Sequence, residues 1–182
     1  MRVLKLNKAH LPQDWISREE AAVLYAKNLV IWEYGSHDMM YGGINRETET
    51  VSSLRISPII ACKGHFKMRS GSLPLNNRTL FKRDSNICMY CGREYPSKLL
   101  TRDHIVPKVQ NGPDVWKNVT TSCKRCNIAK GGRTPEQAGM KLLAVPFEPN
   151  IFEWFFLQNH RILADQMEFL SSNFSGKRNW II

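Results

Sequence analysis

Four of the five cysteines in this chain form two Cys-x-x-Cys pairs, Cys88/Cys91 and Cys123/Cys126, and no other feature constrains the fold so tightly. Four thiolates so arranged are the ligand set of a closed tetrahedral structural zinc site, which draws two distant stretches of backbone to one point. A redox-active pair would stand singly at a helix start in a βαβ setting, so two pairs speak against that chemistry. The 31 residues between the pairs, Gly92 to Ser122, exceed the usual zinc-ribbon spacing, and a sizeable substructure is therefore expected inside the clip. Cys62 stands apart and reads as an ordinary buried thiol. Such pairs keep a metal in a reducing compartment. Basic residues interrupt every short apolar run of the opening Met1-Arg2-Val3-Leu4-Lys5-Leu6-Asn7-Lys8, so a soluble cytoplasmic protein is expected.

Charge is distributed unevenly. Met1 to Cys62 carries 7 Lys/Arg against 7 Asp/Glu, Lys63 to Arg133 carries 15 against 4, and the remainder carries 4 against 5. The whole net charge of +10 thus arises around the cysteines. Basic residues that served only solubility would not cluster. A block of them around a metal site suits a polyphosphate partner, because neutralising phosphates releases condensed counterions. A membrane is the weaker candidate, since no basic amphipathic helix accompanies the block.

Along the chain, residues 1–62 read as a small α+β lobe. Val3-Leu4-Lys5-Leu6 alternates as a strand does, and Ser17-Arg18-Glu19-Glu20 has capping-box form ahead of a helix to about Lys27. Leu29-Val30-Ile31-Trp32 reads as a buried strand, Gly35 and Gly42-Gly43 as turns, and Leu54-Arg55-Ile56 as a further strand ending at Pro58. Residues 63–83 read as a basic linker or an arm laid on the partner. Residues 84–140 form the cysteine-bearing core, followed at 141–182 by a C-terminal helix and tail. Thr134-Pro135-Glu136-Gln137 is a helix start by its cap, and an aromatic helix is expected from about Asn150 to Leu170, its rings serving as core.

Inside the clip lies Thr101-Arg102-Asp103-His104-Ile105-Val106-Pro107. Adjacent Asp and His on a strand point to opposite sides, so one can meet a metal while the other faces a phosphate. Then come Trp116-Lys117-Asn118, Cys126-Asn127-Ile128-Ala129-Lys130-Gly131 and Thr134-Pro135-Glu136. This order of short motifs, from about Ile87 to Ala138, resembles the four-cysteine zinc branch of the HNH endonucleases. The opening segment through Trp15 is similar to the N-terminal lobe of bacterial and phage HNH proteins.

The resemblance implies an α+β protein with a ββα-metal, treble-clef-like core pinned by the zinc, a small N-terminal α+β lobe and C-terminal helices. It implies that His104 is the general base and that Asp103 and Asn127 are ligands of a catalytic metal. It implies too that Asn118 holds the loop that orients the base, which makes the chain an H-N-N variant. Carboxylate and carboxamide oxygens are hard donors and favour Mg²⁺ or Mn²⁺. Arg102, Lys124, Arg125, Lys130 and Arg133 are expected to contact nucleic-acid phosphates, which carry affinity and no sequence information. The expected activity is hydrolysis of phosphodiester bonds in double-stranded DNA, as a nickase where one site acts alone. A homodimer or an accessory protein partner stays open. The alternative is a zinc-ribbon module that binds nucleic acid without cutting it.

Overall fold

A computed structural model describes residues 2–64, 73–159 and 161–176. The chain begins with β1 (Val3–Leu6), β2 (Pro12–Ile16) and α1 (Arg18–Ala26), and continues through β3 (Val30–Tyr34), β4 (Asp38–Ile44), β5 (Val51–Ile56) and β6 (Ile59–Cys62). The capping box forms as read: Ser17 Oγ accepts the Glu20 N–H at 3.1 Å, and Glu20 Oε2 accepts the Ser17 N–H at 2.7 Å. Four strands make a sheet in the order β2-β1-β6-β3, with β1 and β6 parallel and the outer pairs antiparallel, while β4 and β5 form a separate hairpin. Val3, Ile16, Ala21, Ile56, Ile60 and Cys62 cluster as its core, and Cys62 is fully buried.

Two local expectations fail here for identifiable reasons. The apolar run ending at Trp32 is not a buried strand but β3, which among the described residues pairs only with β6 and lies mostly half-exposed or exposed at the sheet edge. An apolar run does not tell a central strand from an edge one. Gly42 and Gly43 lie inside β4, where the register shifts between Tyr41 and Ile44. They absorb a bulge. The reversal itself falls at Asn45, whose N–H donates to Thr50 O and whose side chain accepts the Glu47 N–H.

The middle of the chain holds α2 (Asn77–Arg83), β7 (Leu100–His104), β8 (Val119–Cys123) and α3 (Lys124–Lys130). The segment read as a linker or arm therefore contains a helix, and residues 65–72 of it lie outside the described residues. β7 and β8 are antiparallel, and β8 runs directly into α3 with Cys123 as its N-cap. This is a ββα unit. No helix forms at Thr134, although its cap contacts with Gln137 are made. Gly139 has φ +64° and the Met140 N–H turns back to Pro135 O at 2.8 Å, which closes the chain after one turn.

One C-terminal helix was expected; there are two, α4 (Ile151–Gln158) and α5 (Ala164–Ser171). Asn159 Oδ1 accepts the Arg161 N–H, a local bond that competes with helix continuation, and Leu163 is extended. Trp154, Phe155, Phe156 and Leu157 are buried, as core aromatics should be. The tail Trp180-Ile181-Ile182 lies outside the described residues. None of the helices among the described residues is long and apolar enough to cross a membrane.

Two compact units result. The first comprises residues up to 64 together with 151–174; the second is 73–150. In the first, the fully buried Gln166 donates to Arg2 O and Pro58 O at 2.8 and 2.9 Å, and Trp15 Nε1 donates to Phe155 O at 3.1 Å. The second is organised around Arg83. Its buried guanidinium is bidentate to Asp84 at 2.8 and 3.1 Å and donates to Trp116 O, Val119 O and Phe147 O. Asp84 in turn accepts the Thr121 N–H at 2.8 Å, so one ion pair joins α2 to β8. Removing one partner of such a pair strands the other charge and its carbonyl acceptors in a dry interior. Arg83→Met is expected to cost about 3–5 kcal/mol, read as a lowered urea midpoint with unchanged slope.

Candidate functional site

The four cysteine sulfurs of the two pairs converge: all lie within 4.8 Å of one another. The first pair sits on a tight knuckle. Cys88 N donates to Arg93 O, Gly92 N donates back to Cys88 O, and Gly92 takes φ +71°, a conformation glycine adopts without strain. The second pair spans the junction of β8 and α3, where the Cys126 N–H points at Cys123 Sγ. Burial works against ionisation of Cys88, yet backbone N–H groups of Cys123, Cys91 and Tyr90 draw its thiol down to about 7. Burial and then the neighbouring sulfurs push Cys126 well above the ordinary thiol value. Four thiolates this close need a soft cation between them, and the donor set fits zinc. The four cysteines could hold a zinc ion.

Alternation along β7 sorts its side chains onto two faces. Thr101 and Asp103 meet α3. Asn127 Nδ2 donates to Thr101 Oγ1 at 2.9 Å, and Lys130 Nζ lies 3.1 Å from Asp103 Oδ1. Asn127 and Lys130 are one helical turn apart, which is why both reach the same strand face. Asp103 is 5% exposed, and its other oxygen accepts from Tyr90 at 2.5 Å. Tyr90 belongs to the first cysteine knuckle. Burial, then the adjacent carboxylate, raise its hydroxyl above the ordinary tyrosine value, so it remains a donor. Thr120, opposite Asp103 in the ladder, is buried with a hydroxyl that has no partner among the described residues.

Arg102 and His104 turn the other way, towards the loop between the strands. His104 Nε2 lies 2.8 Å from Asp114 Oδ1. Arg102 Nη1 donates to both oxygens of Asp114, at 3.0 and 2.9 Å, while its Nε donates to Asn77 Oδ1 at 2.9 Å. Burial would raise the Asp114 carboxyl, but the bonds from Arg102 and His104 outweigh it and hold it below the usual aspartate value. Asn118, buried at the loop's return, accepts the Val106 N–H and donates to Val106 O and Pro113 O at 3.0, 3.1 and 2.8 Å. It clamps the loop immediately beyond His104 and immediately before Asp114.

The basic residues divide into two sets. Lys124 and Arg125 are exposed, and neither has an ion-pair partner among the described residues. Arg102 is committed to Asp114 and Asn77, and Arg133 donates to the α3 carbonyls of Ala129 and Lys130. Lys130 departs from expectation most. Rather than facing a phosphate or solvent, it is fully buried, with its ammonium on Asp103 and on His104 O at 2.7 Å. The inward carboxylate draws it there. Tyr90 and Asp114 were not singled out from sequence: one is an unremarked residue within a Cys-x-x-Cys pair, the other a loop aspartate after Gly-Pro.

Two expectations follow from this geometry. A methyl group on Gly112 would lie 1.7 Å from Val106 O and 3.0 Å from Asn118 Nδ2, so Gly112→Ala has to displace the clamped loop. That costs about 1–3 kcal/mol, a fall of several degrees in Tm by calorimetry. Purified protein is expected to contain close to one zinc per chain by elemental analysis, with Cys123→Ser losing both metal and cooperative unfolding. A metal-free Cys123→Ser protein that still unfolds like the parent would contradict a structural zinc.

No curated protein matches the chain. Residues 88–143 match the family model described as HNH endonuclease, a stretch that begins at the first cysteine and spans β7, the clamped loop, β8 and α3. It points to a nuclease-type function. Residues 88–143 of this chain are thus similar to the HNH endonucleases, over the segment that carries both cysteine pairs.

Proposed function

We propose that the chain is a metal-dependent endonuclease that hydrolyses phosphodiester bonds of DNA, with His104 as the general base that takes a proton from the attacking water. The observation that carries this reading is the presentation of His104. In a segment similar to the HNH endonucleases, consecutive residues of β7 send a carboxylate to the α3 face and an imidazole, itself held by a carboxylate, to the loop face. A neutral imidazole keeps one ring nitrogen with a lone pair and is suited to accept that proton. Asn118 supports it by clamping the loop on both sides of the pair.

Asp103 and Asn127 are the residues that would hold the divalent ion, and their donor chemistry supports that assignment. Thr101 takes the Asn127 amide nitrogen, which leaves the carboxamide oxygen as the available donor. Each oxygen of Asp103 carries one hydrogen bond and keeps a second lone pair. The Thr120 hydroxyl, which has no partner among the described residues, adds a further oxygen on that face. These are hard donors, matched to Mg²⁺ or Mn²⁺. The Lys130 ammonium on the same carboxylate opposes a second positive charge, so the ion is expected to bind weakly. When bound, such an ion would stabilise charge developing on the scissile phosphate and on the leaving oxygen.

Lys124 and Arg125 on α3 supply exposed positive charge for the nucleic-acid backbone. One site of this kind cuts one strand. The test incubates the protein with supercoiled plasmid in Mg²⁺ or Mn²⁺, with chelator, and beside His104→Ala. Metal-dependent nicking is expected, with the variant at least about 100-fold slower while its DNA binding survives. Cleavage by the variant at the parental rate would overturn the role of His104, and binding without any cleavage by the parent would leave a zinc-ribbon binding module.

A further inference from the structure

We infer that Asp114 is the positioning residue of the site: it sets which nitrogen of His104 carries the proton and which is left to act. The inference deepens the reading of His104 as base and rests on it.

Its geometry is built from the far side. Asp114 lies in the loop between the strands, and its carboxylate is fixed before it meets the imidazole. Arg102 grips both oxygens, and Arg102 is itself anchored to Asn77 Oδ1. The loop backbone is fixed on either side, with Pro113 O on the Asn118 amide and Val115 O on the Asn118 N–H at 2.9 Å. Asn77, Arg102, Asp114 and His104 therefore form one continuous hydrogen-bonded chain.

An ionised carboxylate offers acceptors only, so the His104 nitrogen 2.8 Å from it must be the one bearing hydrogen. With Nε2 as the N–H, Nδ1 is the basic lone pair that receives the proton from water. Once His104 gains that proton, the imidazolium faces a carboxylate that is already in place. Arg102 offsets the Asp114 charge, so the pair adds little repulsion towards a phosphodiester.

Two readouts separate this role from a structural one. In Asp114→Asn the amide keeps its oxygen on Arg102 and turns its NH₂ towards His104, which forces the hydrogen onto Nδ1. Nitrogen-15 imidazole spectra of the zinc-loaded protein, recorded without added Mg²⁺ or Mn²⁺, are expected to show the Nε2–H tautomer in the parent and its loss in Asp114→Asn and Asp114→Ala. In plasmid nicking, both variants should lose roughly 100-fold in kcat with KM changed by less than about threefold, and Asp114→Glu should recover part of the loss. An unchanged tautomer in Asp114→Asn, or kcat within about twofold of the parent in Asp114→Ala, overturns the inference. So does a kcat loss that comes with a lowered Tm and an unaltered imidazole spectrum. The spectra need no activity, so they test Asp114 even if His104→Ala cuts DNA normally and the base assignment falls.

Discussion

The contact on which the site depends is the buried ion pair between Lys130 and Asp103. One ammonium, fully enclosed, bonds the carboxylate of Asp103 and the backbone carbonyl of His104. A charge taken from water is tolerated only when its partners are supplied with good geometry. Here the second Asp103 oxygen goes to Tyr90, from the loop between Cys88 and Cys91. The cysteine knuckle, the strand and the helix therefore meet at a single carboxylate. A shift in any of the three would leave a buried charge short of a partner, and the interaction acts as a register pin as much as a source of stability.

From that pin the remaining geometry follows by alternation. With Asp103 committed to α3, its neighbour His104 has to face the loop, and the site acquires two sides with separate chemistry. Oxygen donors line one side: Asp103, the Asn127 carboxamide and the Thr120 hydroxyl. On the other, Arg102, Asp114 and His104 form a charge-compensated hydrogen-bonded chain. Asn118 serves the second side through the backbone, and the close approach of Gly112 to Val106 O is the reason the loop returns so tightly.

The basic composition of this segment overstates the positive surface it presents. Of the cations expected at phosphates, Lys130 is internal, Arg102 is spent on the Asp114 clamp, and Arg133 closes α3 by donating to its last carbonyls. Arg83, also counted in the block, is a structural guanidinium at the centre of its unit. Exposed charge remains on Lys124 and Arg125, at the start of α3, and elsewhere in the block on Arg93, Lys98, Lys108 and Lys117. A net charge indicates that a polyanion is favoured, but only burial shows which residues are free to meet one.

The sequence by itself determined the pieces whose signals are short-range. The two cysteine pairs, the capping box at Ser17, the strand Val3–Leu6 and the order of the Asp-His, Asn and Cys-Asn motifs are all patterns within a few residues, governed by local geometry and ligand chemistry. The ββα character of the core was legible only through the resemblance that those motifs carry, and not from the local pattern of its strands. Tertiary structure alone decided the partners of charged side chains. Whether Lys130 points outward or inward turns on a carboxylate 27 residues away, and the pairing of His104 with Asp114 depends on how a clamped loop returns to the strand. Likewise, β3 became an edge strand because no strand among the described residues pairs with its outer side, and the helix signalled at Thr134 stopped after one turn because the chain closed on itself at Gly139. Burial and long-range electrostatics are properties of what surrounds a residue, and local pattern carries no record of those surroundings.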